Sequence, residues 1–327
     1  MRDQQPSGWQ LHRGAQPGGH FEQLKELTFC SASAADFLQP TDEVIGVSSY
    51  GLSKAYPRRV VALHHIVQDE LGGLPIIATW CALCSTPVVF KTHVDGRTLT
   101  LDLGRARGQN ATFRDRQTES WWQQATGEAF EGPLKGRRLE MIPFLFTNWA
   151  EWRRRHPNTL VLCPDPARMP AYEHVAIKEA EHQHGHWEIP EAHLLGKDSR
   201  LPAPELVIGL DLHARGAKAF PLRFLEEGLL NDQIGACPVL VVRSNSDTIT
   251  AFSRDVGARS LSFRAMERGN EAWLQDDQTG SQWTAYGECT EGELKGAQLQ
   301  PIQPQRSFWF AWAEFHPNTE VFTVSPK

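Results

Sequence analysis

The chain repeats itself, and that constrains it more than any single motif. VIGV at 44–47 returns as VIGL at 207–210, and KAYP at 54–57 returns as KAFP at 218–221. TESWW (118–122) returns as TGSQW (279–283), and GEAFEGPLKGRRLEMI (127–142) as GECTEGELKGAQLQPI (287–302). WAEWRRRHPNT (149–159) returns as WFAWAEFHPNT (309–319). The order is kept, and the offset stays between 160 and 164 residues. Chance does not keep both. A unit of about 120 residues, the size of an ordinary domain, is therefore present twice.

Within the first copy, Val44–Ser49 reads as a strand that turns at Tyr50-Gly51 into a second strand ending at Tyr56-Pro57. Arg58–Glu70 carries helical spacing, with Val61, His64, His65 and Gln68 on one side and Val60, Leu63 and Val67 on another. Gly72-Gly73 is the expected stop. PIIATW and TPVVFKTHV are β-branched runs, and Asp95-Gly96 marks a tight hairpin. TNWAEWRRRH predicts a short helix with Thr147 as its N-cap, broken by PNT and followed by a last strand, LVLC. The expectation is an α+β fold made of two tandem copies of a mainly antiparallel β unit, with two short helices each. Its divisions are an N-terminal arm (1–40), a first repeat (41–165), a His- and Pro-rich linker (166–203) and a second, degenerate repeat (204–327).

The apolar fraction is 40 %, the charged fraction 22 %, and the net charge of −6 is spread along the chain. That suits a globular protein and gives nucleic acid no basic face to bind. No apolar run is long enough to span a membrane. The N-terminus, MRDQQPSGWQLHRGAQPGG, lacks the apolar core of a signal peptide. As written, the expectation is a cytoplasmic protein, or an exported one if a leader has been removed. There is no Gly-rich phosphate loop, nucleophile elbow or HExxH, so no nucleotide cofactor is expected.

Six cysteines are scattered apart from one close pair, which is not the pattern of a disulfide framework. The pair is Cys81 and Cys84, in TWCALCSTPVVF (79–90). A thioredoxin-like site would place the first cysteine at a helix N-terminus, but Pro87, Val88 and Val89 favour strand. A closed zinc site needs four ligands, and there is no second CxxC; the positions aligned in the second copy hold Ser244 and Asp247. An open site remains. Two thiolates on a strand–turn–strand knuckle, with His64 as third ligand and His65 as its fallback, suit copper(I), zinc or iron. Two buried structural cysteines are the plain alternative. Because a strand points residues i and i+3 to opposite faces, Ala82-Leu83 would have to turn for the sulfurs to meet.

His182, His184 and His186 alternate in the linker and read as a solvated, His-rich segment with weak affinity for metal at most. Asp115, Thr118, Ser120 and Trp122 recur as Asp276, Thr279, Ser281 and Trp283, and a feature present in both copies reads as architecture. Trp122, Trp149, Trp152, Trp283, Trp309 and Trp312 are expected in the core, and His156 and His316 at helix ends.

The string HHIVQDELGGLPIIATWCALCSTPVVF, with TESWWQQATGEAFEGPLKGRRLE and TNWAEWRRRHPNT, resembles a bacterial family known only as domain-of-unknown-function family 3179. LNDQIG and FWFAWAEFHPNT are similar to its C-terminal part, so the resemblance runs over roughly 40–325. It implies no established reaction. It implies a CxxC after a TYC-like strand and a histidine ahead of it, which fall on Cys81, Cys84 and His64. It also implies frequent export. The chain departs from the pattern at Ser85, where the family usually has glycine, and in the histidines of the linker. The leading expectation is a metal-dependent oxidoreductase on a small-molecule substrate. A non-catalytic metal-binding protein and a thiol–disulfide protein are the alternatives.

Overall fold

β-Branched and aromatic residues at alternate positions carry most of the chain into strands. A computed structural model describes residues 24, 26–49, 51–183, 198–226, 228–244, 247–268 and 271–323. Strands hold 46 % of residues and helices 16 %. The α+β expectation of two tandem copies with two short helices each is therefore corrected: the protein is mainly β, assembled from several small sheets.

The first half begins with β1 (Phe29–Ser31), β2 (Glu43–Ser49) and β3 (Leu52–Pro57). Helix α1 (Arg58–His64) follows, then β4 (Ile66–Leu71), β5 (Leu74–Cys81) and β6 (Thr86–Lys91). Helix α1 stops well short of the expected Glu70. His65 takes a left-handed φ of 61°, and Ile66–Leu71 pairs antiparallel with β5. Gly72-Gly73, read as a helix stop, is instead the turn of that hairpin, where both glycines have positive φ. The β-branched pair Ile66-Val67 outweighs the helical spacing.

The other α-helices among the described residues are α2 (Trp149–Arg155), α3 (Met169–Gln183) and α4 (Trp309–Phe315). Helix α3 lies in the segment read as linker. Where the first half has α1, the second has only the 3-10 turn Leu222–Leu225, so the helices do not divide two and two. Helix α2 is capped by Asn148, not Thr147: the Asn148 side chain accepts from Glu151 N–H at 2.9 Å.

Strand order corresponds between the halves. Leu145–Asn148, β2, β3 and Leu160–Leu162 run side by side, as do Gln305–Phe308, Leu206–Asp211, Ala217–Pro221 and Glu320–Val321. The first of these sheets gains β1 at its edge. The order β4, β5, β6, Glu140–Met141 is matched by Leu229–Ile234, Cys237–Arg243, Ile249–Ser253 and Pro301–Ile302. The same contacts hold both frames. Trp122 and Trp283 donate to Asp115 and Asp276 at 2.9 Å each, and Trp152 and Trp312 to Thr159 and Thr319 at 3.0 Å each. Gly46 lies flat against the Trp152 ring and Gly209 against Trp312; a Cβ at either would overlap the indole. All six tryptophans expected in the core are buried. His156 and His316 close α2 and α4 through N–H bonds to Trp152 and Trp312 carbonyls.

The halves meet reciprocally. β6 packs on Gln305–Phe308, and Leu145–Asn148 packs on Ile249–Ser253. The tip of the β5–β6 hairpin is thereby covered by the start of α4.

Candidate functional site

Cys81 ends β5 and pairs across the hairpin with Thr86. Residues Ala82–Ser85 form the turn, and Ser85 takes a φ of 56°, the conformation that glycine adopts most easily. The turn resolves the opposite-face problem. It brings the two thiols into one cluster at the hairpin tip, both free and both 1 % exposed. Cys84 Sγ also lies 3.9 Å from the Cys81 carbonyl.

The surroundings act on the two sulfurs in opposite directions. Burial opposes ionisation of Cys81, yet its thiol is held below its ordinary value. The neighbouring Cys84 side chain and the backbone at Ala111, Cys84 and Leu83 favour its charged form. Burial pushes the Cys84 thiol well up, and the neighbouring Cys81 adds to this, against the Asn110 amide; the Thr86 hydroxyl itself donates to the Cys84 carbonyl at 3.1 Å. Of the two, Cys81 therefore ionises before Cys84.

Asn110 is locked in place. Its Nδ2 donates to Cys84 Sγ at 3.2 Å and to Gln124 Oε1 at 2.6 Å. Its Oδ1 accepts from Gln123 Nε2 and from Ala125 N–H, both at 2.8 Å. A flipped amide would lose all four bonds, so the N–H must face the sulfur. Gln124 Nε2 continues the network to Thr79 Oγ1 at 3.0 Å and the Thr86 carbonyl at 3.1 Å. Thr79, Asn110, Gln123 and Gln124 are at most 1 % exposed. Ser85 Oγ is buried with no hydrogen-bond partner among the described residues, a rarity for a buried polar atom.

The second half supplies the roof. Phe308, Phe310 and Ala311 cluster with the two cysteines, and the two rings stack at 5.7 Å. Phe308 N–H donates to the Cys84 carbonyl at 3.1 Å. Glu314 on α4 accepts from Gln109 N–H at 3.0 Å, and its carboxylate fills the space a Cβ on Gly108 would need.

The counterpart hairpin carries no pair of cysteines at its tip. Its loop, between Arg243 and Ile249, is one residue shorter than the span between Trp80 and Pro87. By strand register, Val242 stands for Thr79, Thr284 for Gln123 and Ala285 for Gln124.

His64 is elsewhere. It is 2 % exposed, its Nε2 lies 3.0 Å from the Tyr172 hydroxyl, and it lines a cavity of about 580 Å³ with Glu26, Cys163, Asp165 and Arg168. His65 Nδ1–H donates to the Trp80 carbonyl at 3.2 Å. Among the described residues no three His, Cys, Asp or Glu side chains are arranged to hold a metal ion. The expected set of Cys81, Cys84 and His64 therefore reduces to the two sulfurs. His184, His186 and the side chain of His182 lie outside the described residues. The polar network and the phenylalanine roof went unread in the sequence. The available signal was unlike residues in a repeated frame, WWQQATGE against QWTAYGE.

The sequence model of a family described as "Protein of unknown function (DUF3179)" matches residues 23–319. No curated protein and no solved structure matches the chain.

Proposed function

Since the chain belongs to the DUF3179 family, whose description names no reaction, we propose from the site itself that Cys81 and Cys84 bind one soft cation as a two-sulfur chelate. Copper(I) is the best match. The observation that carries this reading is the placement of two free, buried thiols at one hairpin tip closed to water, with the Asn110 amide N–H fixed on the Cys84 sulfur at 3.2 Å.

Hydrogen bonds to sulfur stabilise thiolate, and binding requires thiolate. Copper(I) is soft and prefers sulfur ligands. Two thiolates satisfy it without a third ligand. Zinc(II) prefers four ligands, and the described residues offer two. The bound pair would carry one net negative charge, offset by the amide donors. Phe308 and Phe310 would keep water from the ion. With no third ligand among the described residues, a metal-holding role fits the pair better than a metal-dependent oxidoreductase.

The test is an anaerobic titration of reduced protein with copper(I) against a competing chromophoric chelator. One equivalent should bind, and Cys81→Ser/Cys84→Ser should bind none. Replacing Cys237 and Cys289 should leave binding intact. Absence of binding at equimolar copper(I), or equal binding by the double-serine variant, would sink the proposal. Rapid conversion of the pair to a disulfide by a small disulfide such as oxidised glutathione, with no metal uptake, would favour the redox reading instead.

A further inference from the structure

A second pair of thiols lies at the opposite edge of the first half. The short strand β1 pairs antiparallel with Leu160–Leu162, with Cys30 opposite Val161. Cys163 follows that strand and extends the ladder, its N–H donating to the Thr28 carbonyl at 2.8 Å. Cys30 and Cys163 are diagonal neighbours on one face. Both thiols point at the same acceptor: each Sγ lies 3.8 Å from the Val161 carbonyl. Burial, with Cys163 beside it, pushes the Cys30 thiol up to about 12. Unlike Cys81 and Cys84, both are partly exposed.

Their position gives the pair a role. Leu24, Glu26 and Thr28, just ahead of β1, form one wall of the cavity that His64, Cys163, Asp165 and Arg168 complete. A three-residue edge strand is a weak attachment for such a wall. Among the described residues the corresponding sheet of the second half has no strand in this place, so β1 has no counterpart there.

We propose that Cys30 and Cys163 form a redox-sensitive staple that fastens the N-terminal segment, and with it this wall of the cavity, to the sheet. The chemistry is thiol–disulfide exchange with a low-molecular-weight disulfide. Cys163 thiolate attacks one sulfur of the small disulfide and expels one thiolate. Cys30, on losing its proton, attacks Cys163 Sγ and expels the second. The two cysteines are oxidised by two electrons, and the small disulfide is reduced to two thiols. The ring so closed spans most of the first half, which is the case where a cross-link restricts the unfolded chain most.

The experiment compares the full chain after treatment with oxidised glutathione and after treatment with dithiothreitol. Peptide mapping without reduction should find Cys30 joined to Cys163. Melting temperature should rise by roughly 5 °C on oxidation. Amide exchange across residues 26–31 should slow at least tenfold. Cys30→Ser and, independently, Cys163→Ser should remove the link and both differences. Separate glutathione adducts on the two cysteines, or two free thiols after oxidation, would overturn the staple. So would a linked protein whose melting and exchange match those of the reduced form. Oxidation confined to Cys81 and Cys84 would overturn it as well, and mapping tells that result apart from loss of the copper site.

Discussion

The β5–β6 hairpin and its counterpart Cys237–Ser253 occupy the same place in corresponding sheets, yet they end differently. One closes on two thiols, a buried amide network and a roof of two phenylalanines. The other closes on a shorter loop in which Thr248 Oγ1 meets Thr147 Oγ1 at 2.6 Å. What the halves share is packing. Glycine against tryptophan, tryptophan donating to aspartate, and an ion pair of 2.7 Å (Lys54 with Asp69, Lys218 with Asp232) all appear twice. What they do not share is chemistry. The second half thus acts as an internal control that separates residues needed by the frame from residues needed by the site.

The sharpest way to break that equivalence is at the glycines. Gly46→Ala would drive a Cβ into the Trp152 ring, and Gly209→Ala into Trp312. Neither ring has a free direction in which to move, since each indole N–H is held by a threonine. Each variant should lose about 3 kcal/mol or fail to fold. Chemical denaturation reads the loss. A tolerated Gly209→Ala beside an intolerable Gly46→Ala would show that the two frames are not held alike.

A gentler version uses the indole bonds. Trp122→Phe and Trp283→Phe each delete one buried hydrogen bond to an aspartate that keeps other donors, from Thr118 and Ser120 or from Thr279. The expected cost is about 1–2 kcal/mol in each half. Copper(I) affinity should not change in either variant, because neither tryptophan touches the sulfur network. An affinity loss in Trp122→Phe alone would mean that frame and site are coupled.

The comparison also explains what the sequence made legible. The Asp95-Gly96 turn (φ 48° and 77°), the buried tryptophans and the histidines that end α2 and α4 were readable, because each rests on local rules or on residues that recur. The fold class was misread at 58–70, where helical spacing and strand spacing fit the same residues and only pairing with β5 decides. His64 was expected near the cysteines from its place in the preceding helix and from the family resemblance. With the helix ending at His64 and the chain reversing at His65, its ring goes to Tyr172 instead. Asn110, Gln124 and Phe308 were invisible because their approach to the sulfurs depends on three separate strand pairings and on contact between halves.

Asn110 offers the next prediction. Removing its amide with Asn110→Ala takes one donor from Cys84 and leaves Gln124 Oε1 and Gln123 Nε2 without that partner. Copper(I) binding should weaken about tenfold, the size of one buried hydrogen bond to a charged group. The converse graft, Ser244→Cys/Asp247→Cys, should add no second equivalent, since the loop is shorter and lacks the donors. A second equivalent there would show that two thiols on any such hairpin suffice.

The smallest effect is a pH term that only the first half can show, in protein kept reduced and free of metal. Cys81 is held below, and Cys84 above, an ordinary thiol value of 9.0. Below that value the unfolded chain keeps both protons, while the folded chain has already released the one on Cys81. The unfolded state then binds more protons, so stability rises with pH. Above 9.0 the unfolded chain has lost both, while the folded chain keeps the proton on Cys84, so stability falls. The pair therefore contributes a maximum near pH 9, with flanks no steeper than about 1.4 kcal/mol per pH unit. Subtracting the curve of Cys81→Ser/Cys84→Ser from that of the parent isolates it. Within the same window copper(I) should expel a single proton per ion, the one on Cys84. A difference curve that is flat through pH 9, or release of two protons, would mean that the two sulfurs titrate as independent thiols and that the donors around them favour neither charge state.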